Sequence, residues 1–203
     1  MADKVYLFRH GLTAANKENR LVGVTDLPLA PEGRLQAKAM RPLVERIKPS
    51  AIFCSPMIRT VETANLALGP DQPEMEMDDN LREVDFGHWE MMTYEEAWNY
   101  DKRQALKWSR GDEDFCFPEG ESLAKFLARI AKVHEKLLDL EGKSALVFTH
   151  GGVIGQLICR LLSIPANRHM IFRIPPASLT MIEFHDGLGQ LTGICPPDYY
   201  AMQ

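Results

Sequence analysis

The sequence predicts an α/β protein, a three-layer sandwich whose largely parallel central sheet carries helices on both faces. Three observations lead there. Short apolar runs at 5–8, 51–54 and 145–148 are too brief for helices and suit buried strands. Between them lie longer stretches in which apolar residues recur at steps of three and four. Strands that alternate with helices pair in parallel through crossovers, which puts helices on both sides of the sheet. At 203 residues, a single domain over 1–203 with a helical insert at about 88–118 is expected.

Val5, Tyr6, Leu7 and Phe8 form the first strand, which ends in Arg9, His10 and Gly11. Thr13 can cap a short helix through its hydroxyl, and residues 20–34, with Gly23, Asp26 and two prolines, read as loop. A helix follows from about Glu32 to Ile47, with Leu35, Ala39, Leu43 and Ile47 on one face and a kink or early break at Pro42. The run SAIFCS is a second strand ending at Ser55, and Pro56 stands near the start of the next helix.

Residues 70–80 read as loop around a short strand near Met75–Met77. LREVDFGHWE then leads into the insert, expected as one helix over TYEEAWNYDKRQALKW, and DEDFCFPEGES is loop. From Ser122 to Leu140, Leu123, Phe126, Leu127, Ile130, Val133 and Leu137 mark an amphipathic helix. ALVFTHGGVIGQLICRLL repeats the opening pattern of strand, histidine, glycines and helix. SLTMIEFHDGLGQLTGI suits a hairpin about Asp186–Gly187.

The net charge of −5 gives no overall attraction for nucleic acid or anionic lipid. No segment approaches the ~18 apolar residues of a membrane span. The N-terminus lacks an apolar leader, so a cytoplasmic location is expected. Cys54, Cys116, Cys159 and Cys195 show no C-x-x-C spacing, which favours isolated thiols over disulfides or zinc.

Two strand ends each present a histidine, His10 and His150, and Arg9 and Arg59 follow related strand ends. In α/β sheets the crevice beyond these ends is where ligands bind. One such histidine is as readily a core residue; the four together suit a site that binds and attacks a phosphoryl group. Gly11 permits a tight turn and close approach of a ligand to the main chain.

These residues carry a resemblance to the histidine phosphatase superfamily, in its phosphoglycerate-mutase-like branch. Arg9, His10, Gly11, Thr13 and Asn16 match its first motif, and Gly23, Asp26, Pro28, Leu29 and Gly33 the loop after it. Ser55, Pro56, Arg59 and Thr63 match the second motif. Glu83 matches the acid position, Pro118 to Ser122 a substrate-side loop, and His150 with Gly151 the last motif. The resemblance implies a phosphoglycerate-mutase-like fold and a metal-independent phosphomonoesterase without a cofactor, working through phosphohistidine. His10 would be the nucleophile, and Arg9, Arg59 and His150 would hold the phosphoryl oxygens. Thr13, Asn16, Gly23 and Gly151 would lie on the substrate side, and Glu83 would be the proton donor and acceptor. The neighbouring arginines disfavour protonation of His10, whereas bound phosphate favours it; the sequence leaves the net direction open.

The region between Glu83 and Pro118 is compact and mixed in charge, and Arg103 and Arg110 read as solvated, which favours a phosphatase over a cofactor-dependent mutase. A phosphate-binding pseudoenzyme is the remaining alternative. LREVDFGHWEMMTYEEA is similar to α-ribazole-5′-phosphate phosphatases, with broad-specificity phosphatases nearly as close. Met91 follows Trp89–Glu90 where many relatives have glycine. Trp89, Met91 and Met92 line a substrate pocket or simply pack. His88, His134, His169 and His185 read as structural or exposed. The expected partner is a small-molecule phosphate ester. Oligomeric state, including a homodimer, is open: the tail PPDYYAMQ after Cys195 is either disordered or packed on a neighbour.

Overall fold

The computed structural model describes residues 2–70, 74–140 and 144–197. Six strands form one sheet. At its centre β1 (Lys4–Arg9) runs parallel to β4 (Ser144–Thr149), and β4 runs parallel to β2 (Ala51–Cys54), with the short β3 (Glu76–Met77) parallel at that edge. On the other side of β1 the sheet turns antiparallel through β5 (Leu179–His185) and β6 (Leu188–Cys195). Those two strands form the expected hairpin, with Asp186 and Gly187 both at positive φ as its turn requires.

The strand period of two sorts side chains onto two cores. Val5, Leu7, Phe53, Ala145, Val147 and Ile182 face one of them. That core is closed by α7 (Leu123–Leu138), α8 (Gly151–Leu161) and the helices of the insert. Phe8, Ile52, Cys54, Leu146, Phe148 and Leu179 face the other, where the rings of Phe8 and Phe148 stack 5.1 Å apart. The second core is closed by α2 (Pro31–Ala39), α3 (Arg41–Ile47) and α4 (Ile58–Leu68). This is the three-layer arrangement expected. Thr13 caps α1 (Ala14–Lys17) through a reciprocal capping box with Asn16, and Ser122 caps α7.

The break expected at Pro42 is present, whereas the buried face of that stretch and the single helix of the insert need correction. The stretch 32–47 is two helices meeting at Met40, because Pro42 lacks the N–H that a continuous helix would use there. Its buried positions are Gly33, Ala37, Met40 and Val44, while Leu35 is 67% exposed and Ala39 is exposed. The inward face is made of small residues because α2 lies almost against the main chain of Leu12. A Cβ on Gly33 would sit 2.1 Å from the Leu12 carbonyl oxygen. The insert is likewise two helices, α5 (Tyr94–Tyr100) and α6 (Lys102–Arg110). Asp101 divides them: its backbone is extended, and its carboxylate accepts the Gln104 N–H as a cap. Among the described residues no helix is long and apolar enough to cross a membrane.

The carboxyl ends of β1, β2 and β4 converge. The His10 N–H donates to the Thr149 carbonyl and the Ser55 N–H to the Phe148 carbonyl, both at 3.0 Å. Pairing therefore continues one residue beyond each strand, and it fixes the residues that follow.

Candidate active site

His10 is buried, its carbonyl accepting the Ala177 N–H at 2.8 Å. Its Nδ1 lies 2.8 Å from the Gly11 carbonyl oxygen, which can only accept, so Nδ1 carries the proton and Nε2 keeps its lone pair. The His150 ring stands 5.3 Å away, centroid to centroid, at 61°. His150 Nδ1 accepts from Arg59 Nε at 3.2 Å; its Nε2 therefore donates to Ser55 Oγ at 2.8 Å. Thr63 ties this cluster to β1, accepting the Gly11 N–H and donating to the Arg59 carbonyl.

Both imidazoles are held well below the usual histidine pKa. Burial is the main cause for each, reinforced by Arg9 and Arg59 at His10 and by Arg59, His10 and Arg9 at His150. In the free site the direction is thus downward, and both rings are neutral at pH 7. The unfolded chain protonates them near pH 6.5, while the folded chain does not until a lower pH. Stability should therefore fall as pH drops below about 6.5, by about 1.4 kcal/mol per pH unit for each ring and about 2.7 for the pair. Chemical denaturation between pH 7.5 and 5.5 in phosphate-free buffer checks this; a flat profile would contradict it. His134 and His169, also lowered by burial, act in the same direction.

Arg9 is half-buried beside this cluster. Its Nη1 donates to the Ile174 carbonyl at 2.5 Å, and its Nε is buried without a hydrogen-bond partner among the described residues. Burial draws the pKa values of Arg9 and Arg59 down and Glu83 draws them back up, so both remain cations.

Glu83, also buried, accepts the Gly152 N–H at 2.9 Å and the Val84 N–H at 3.2 Å. The two glycines after His150 have separate reasons to be glycine. A Cβ at 151 would stand 3.2 Å from the Arg9 guanidinium carbon, and one at 152 would stand 2.5 Å from Glu83 Oε1. They let the start of α8 lie directly against both charged groups. Arg129 anchors the segment that carries Glu83: it donates to the carbonyls of Asn80, Arg82 and Glu83 and pairs with Glu121 at 2.8 Å.

Arg59 also grips the loop after α1, donating to the carbonyls of Gly23 and Thr25 at 2.8 and 3.0 Å. The N–H groups of the same loop converge on Glu90. Its carboxylate accepts from the main chain of Gly23, Val24, Thr25 and Phe86 and from the Thr25 hydroxyl. Gly23 therefore has its N–H and its carbonyl both engaged within the protein. Thr13 is fully buried, and its N–H and hydroxyl oxygen hold Asn16 in the α1 cap.

Trp89 packs: it is fully buried among Trp108, Phe115 and Phe117. Met91 sits at φ +64, the left-handed region where glycine is unstrained. Met92 packs against the core. Arg103 and Arg110 are exposed and line a separate surface groove with Lys102 and Lys107. The four cysteines are free, and burial pushes the Cys54 thiol up to about 12. Residues 198–203, to which the expectation about the tail mostly refers, lie outside the described residues.

A cavity of about 340 Å³ opens beside Glu83, Arg9, Gly151 and Gly152. His169 is on its wall, with Nδ1 3.0 Å from the Ala166 carbonyl oxygen. The sequence reads His169 only as structural or exposed: no motif surrounds it, and the packing of residues 166–171 on α8 brings it there. Among the described residues no cluster of three or more His, Cys, Asp or Glu side chains is arranged to hold a metal ion.

A buried and a half-buried arginine stand with two neutral imidazoles at the carboxyl ends of a mostly parallel sheet, an α/β arrangement suited to binding an anion. The model of the Histidine phosphatase superfamily (branch 1) matches residues 5–195, and the chain belongs to that superfamily. It is 31% identical to a probable phosphoglycerate mutase of Enterobacter sp. (strain 638) over 90% of this chain and 86% of that one. It is 27% identical to the adenosylcobalamin/alpha-ribazole phosphatase of Escherichia coli (strain K12), over 93% of each. The crystal structure of a putative alpha-ribazole-5′-P phosphatase from Escherichia coli superposes with a TM-score of 0.86 at 26% identity, covering 97% of this chain and 98% of that one. The protein is a phosphatase.

Proposed function

We propose that the chain is a metal-independent phosphomonoesterase acting on a small-molecule ester, α-ribazole 5′-phosphate among the candidates, through a phosphohistidine on His10. The observation that carries this reading is the tautomer of His10: Nδ1–H is spent on the Gly11 carbonyl, which leaves the Nε2 lone pair for attack. In the first step Nε2 bonds to phosphorus and the ester P–O bond breaks, while a proton on Glu83 passes to the departing oxygen. Water then attacks phosphorus, gives its proton to Glu83, and the P–N bond breaks to restore His10. Arg9, Arg59 and the first turn of α8 stabilise the oxyanions, Asn16 and Gly151 adding donors. His150, held by Ser55 and Arg59, orients the Arg59 guanidinium and exchanges one of those hydrogen bonds for a phosphoryl oxygen.

Rapid acid-free quenching after mixing with a radiolabelled phosphomonoester tests the intermediate. The expected product is protein-bound phosphate that survives alkali and is lost in acid; turnover without any such species would overturn the reading. The similarity to a probable mutase supports a second reading, return of the phosphoryl group to a phosphoglycerate. Interconversion of 2- and 3-phosphoglycerate on addition of the bisphosphate would establish it, and phosphate release alone would exclude it.

A further inference from the structure

The cavity beside Glu83 is apolar over most of its wall. Phe86, Trp108, Phe117, Phe126, Phe172 and Ile174 line it, with Met170 also on the wall and 46% exposed to solvent. Phe86 and Phe117 meet edge to face at 5.1 Å, and Trp108 lies edge to face with both, at 6.0 Å from Phe86 and 5.6 Å from Phe117. The wall is thus an ordered aromatic surface. Among the described residues lining it, Arg9 is the one arginine or lysine, and its guanidinium is already tied to Ile174 at the end next to His10. Glu83, the proposed proton carrier, is the one acidic residue on that wall among the described residues.

We infer that this cavity receives the alcohol portion of the ester, and that the substrates are phosphomonoesters of uncharged, ring-bearing apolar alcohols. The inference rests on the phosphomonoesterase reading above. With the phosphoryl group at His10 and its leaving oxygen at Glu83, the rest of the ester has to extend past Glu83 into the adjoining space. A volume of about 340 Å³ is enough for a ring system, and aromatic walls reward a flat apolar group by burial and edge-to-face contact. An ester whose alcohol carries a carboxylate fares badly there. That group would lose its hydration against phenylalanines and find no second cation. His169, with its Nδ1 proton committed to Ala166, offers Nε2 as an acceptor for a hydroxyl of the alcohol portion.

Three phosphonates that cannot be hydrolysed separate charge from size: propylphosphonate, carboxypropylphosphonate and naphthylpropylphosphonate. Calorimetric titration of the full chain should show the naphthyl compound binding about 100-fold tighter than the carboxylate compound, with propylphosphonate between them. Met170→Arg places a cation on the wall at a partly exposed position that tolerates it, and should shrink that ratio about tenfold. Equal binding of the two larger compounds by the parent protein, or a ratio untouched by Met170→Arg, would overturn the inference. Phosphate release from the three matching esters is measured in parallel. The affinity order without any release would overturn the phosphomonoesterase reading and leave the ligand class standing. Release without the order would do the reverse.

Discussion

Replacing His10 with alanine is expected to reduce phosphate release from any ester by at least about four orders of magnitude. The expectation follows from how few alternatives the site contains. His150 is the other imidazole in the cluster, and its ring nitrogens are committed to Arg59 and Ser55. It cannot take over the attack without breaking the contacts that hold Arg59 in place. The cations remain in the variant, so it should still bind inorganic phosphate while failing to turn over. Binding with no turnover distinguishes loss of the nucleophile from collapse of the site, and unchanged secondary structure by circular dichroism completes the control. A His10→Ala protein that released phosphate at a tenth of the parent rate or faster would remove His10 from the mechanism.

How much of this arrangement is legible in the sequence depends on how far apart the interacting residues lie. The strands ending at Arg9, Cys54 and Thr149 are legible because a short β-branched and aromatic run has one common fate, a buried strand, and its polar successor then stands at the sheet edge. The pairing of His10 with His150 follows from placing their strands side by side. Glu90 is a different case. It looks like a surface carboxylate, and its role arises from main-chain donors 65 to 67 residues earlier, whose convergence no local pattern announces. Arg129, on a plainly amphipathic helix, gives no local sign that it reaches the carbonyls preceding the candidate acid. His169 is placed by a 3-10 turn after α8, in a segment without apolar periodicity. The break at Asp101 is the instructive miss. An aspartate ahead of a lysine- and arginine-rich helix is a local capping signal, and a continuous helical pattern on both sides concealed it.

Glu83→Gln should divide the two chemical steps that the proposal assigns to one residue. The amide oxygen of glutamine can still accept the Gly152 N–H, so the segment and the start of α8 stay in place while the proton carrier is lost. With an alkyl phosphate the leaving alkoxide needs that proton, and kcat is expected to fall about 100- to 10,000-fold. With p-nitrophenyl phosphate the departing phenolate is stable without a proton, so formation of phosphohistidine is spared. Its hydrolysis is not spared, because water still needs a base. The variant should therefore release one equivalent of p-nitrophenolate per chain in a rapid burst, followed by a slow steady state, whereas the parent enzyme gives no such separation. The comparison is sensitive to the alternative that Glu83 serves only to seat Gly152. In that case glutamine, which keeps the hydrogen bond, would leave both substrates near parent rates. An equal loss on both esters without a burst would also count against the dual role, since it would mean that the substitution damages phosphate binding and not proton transfer.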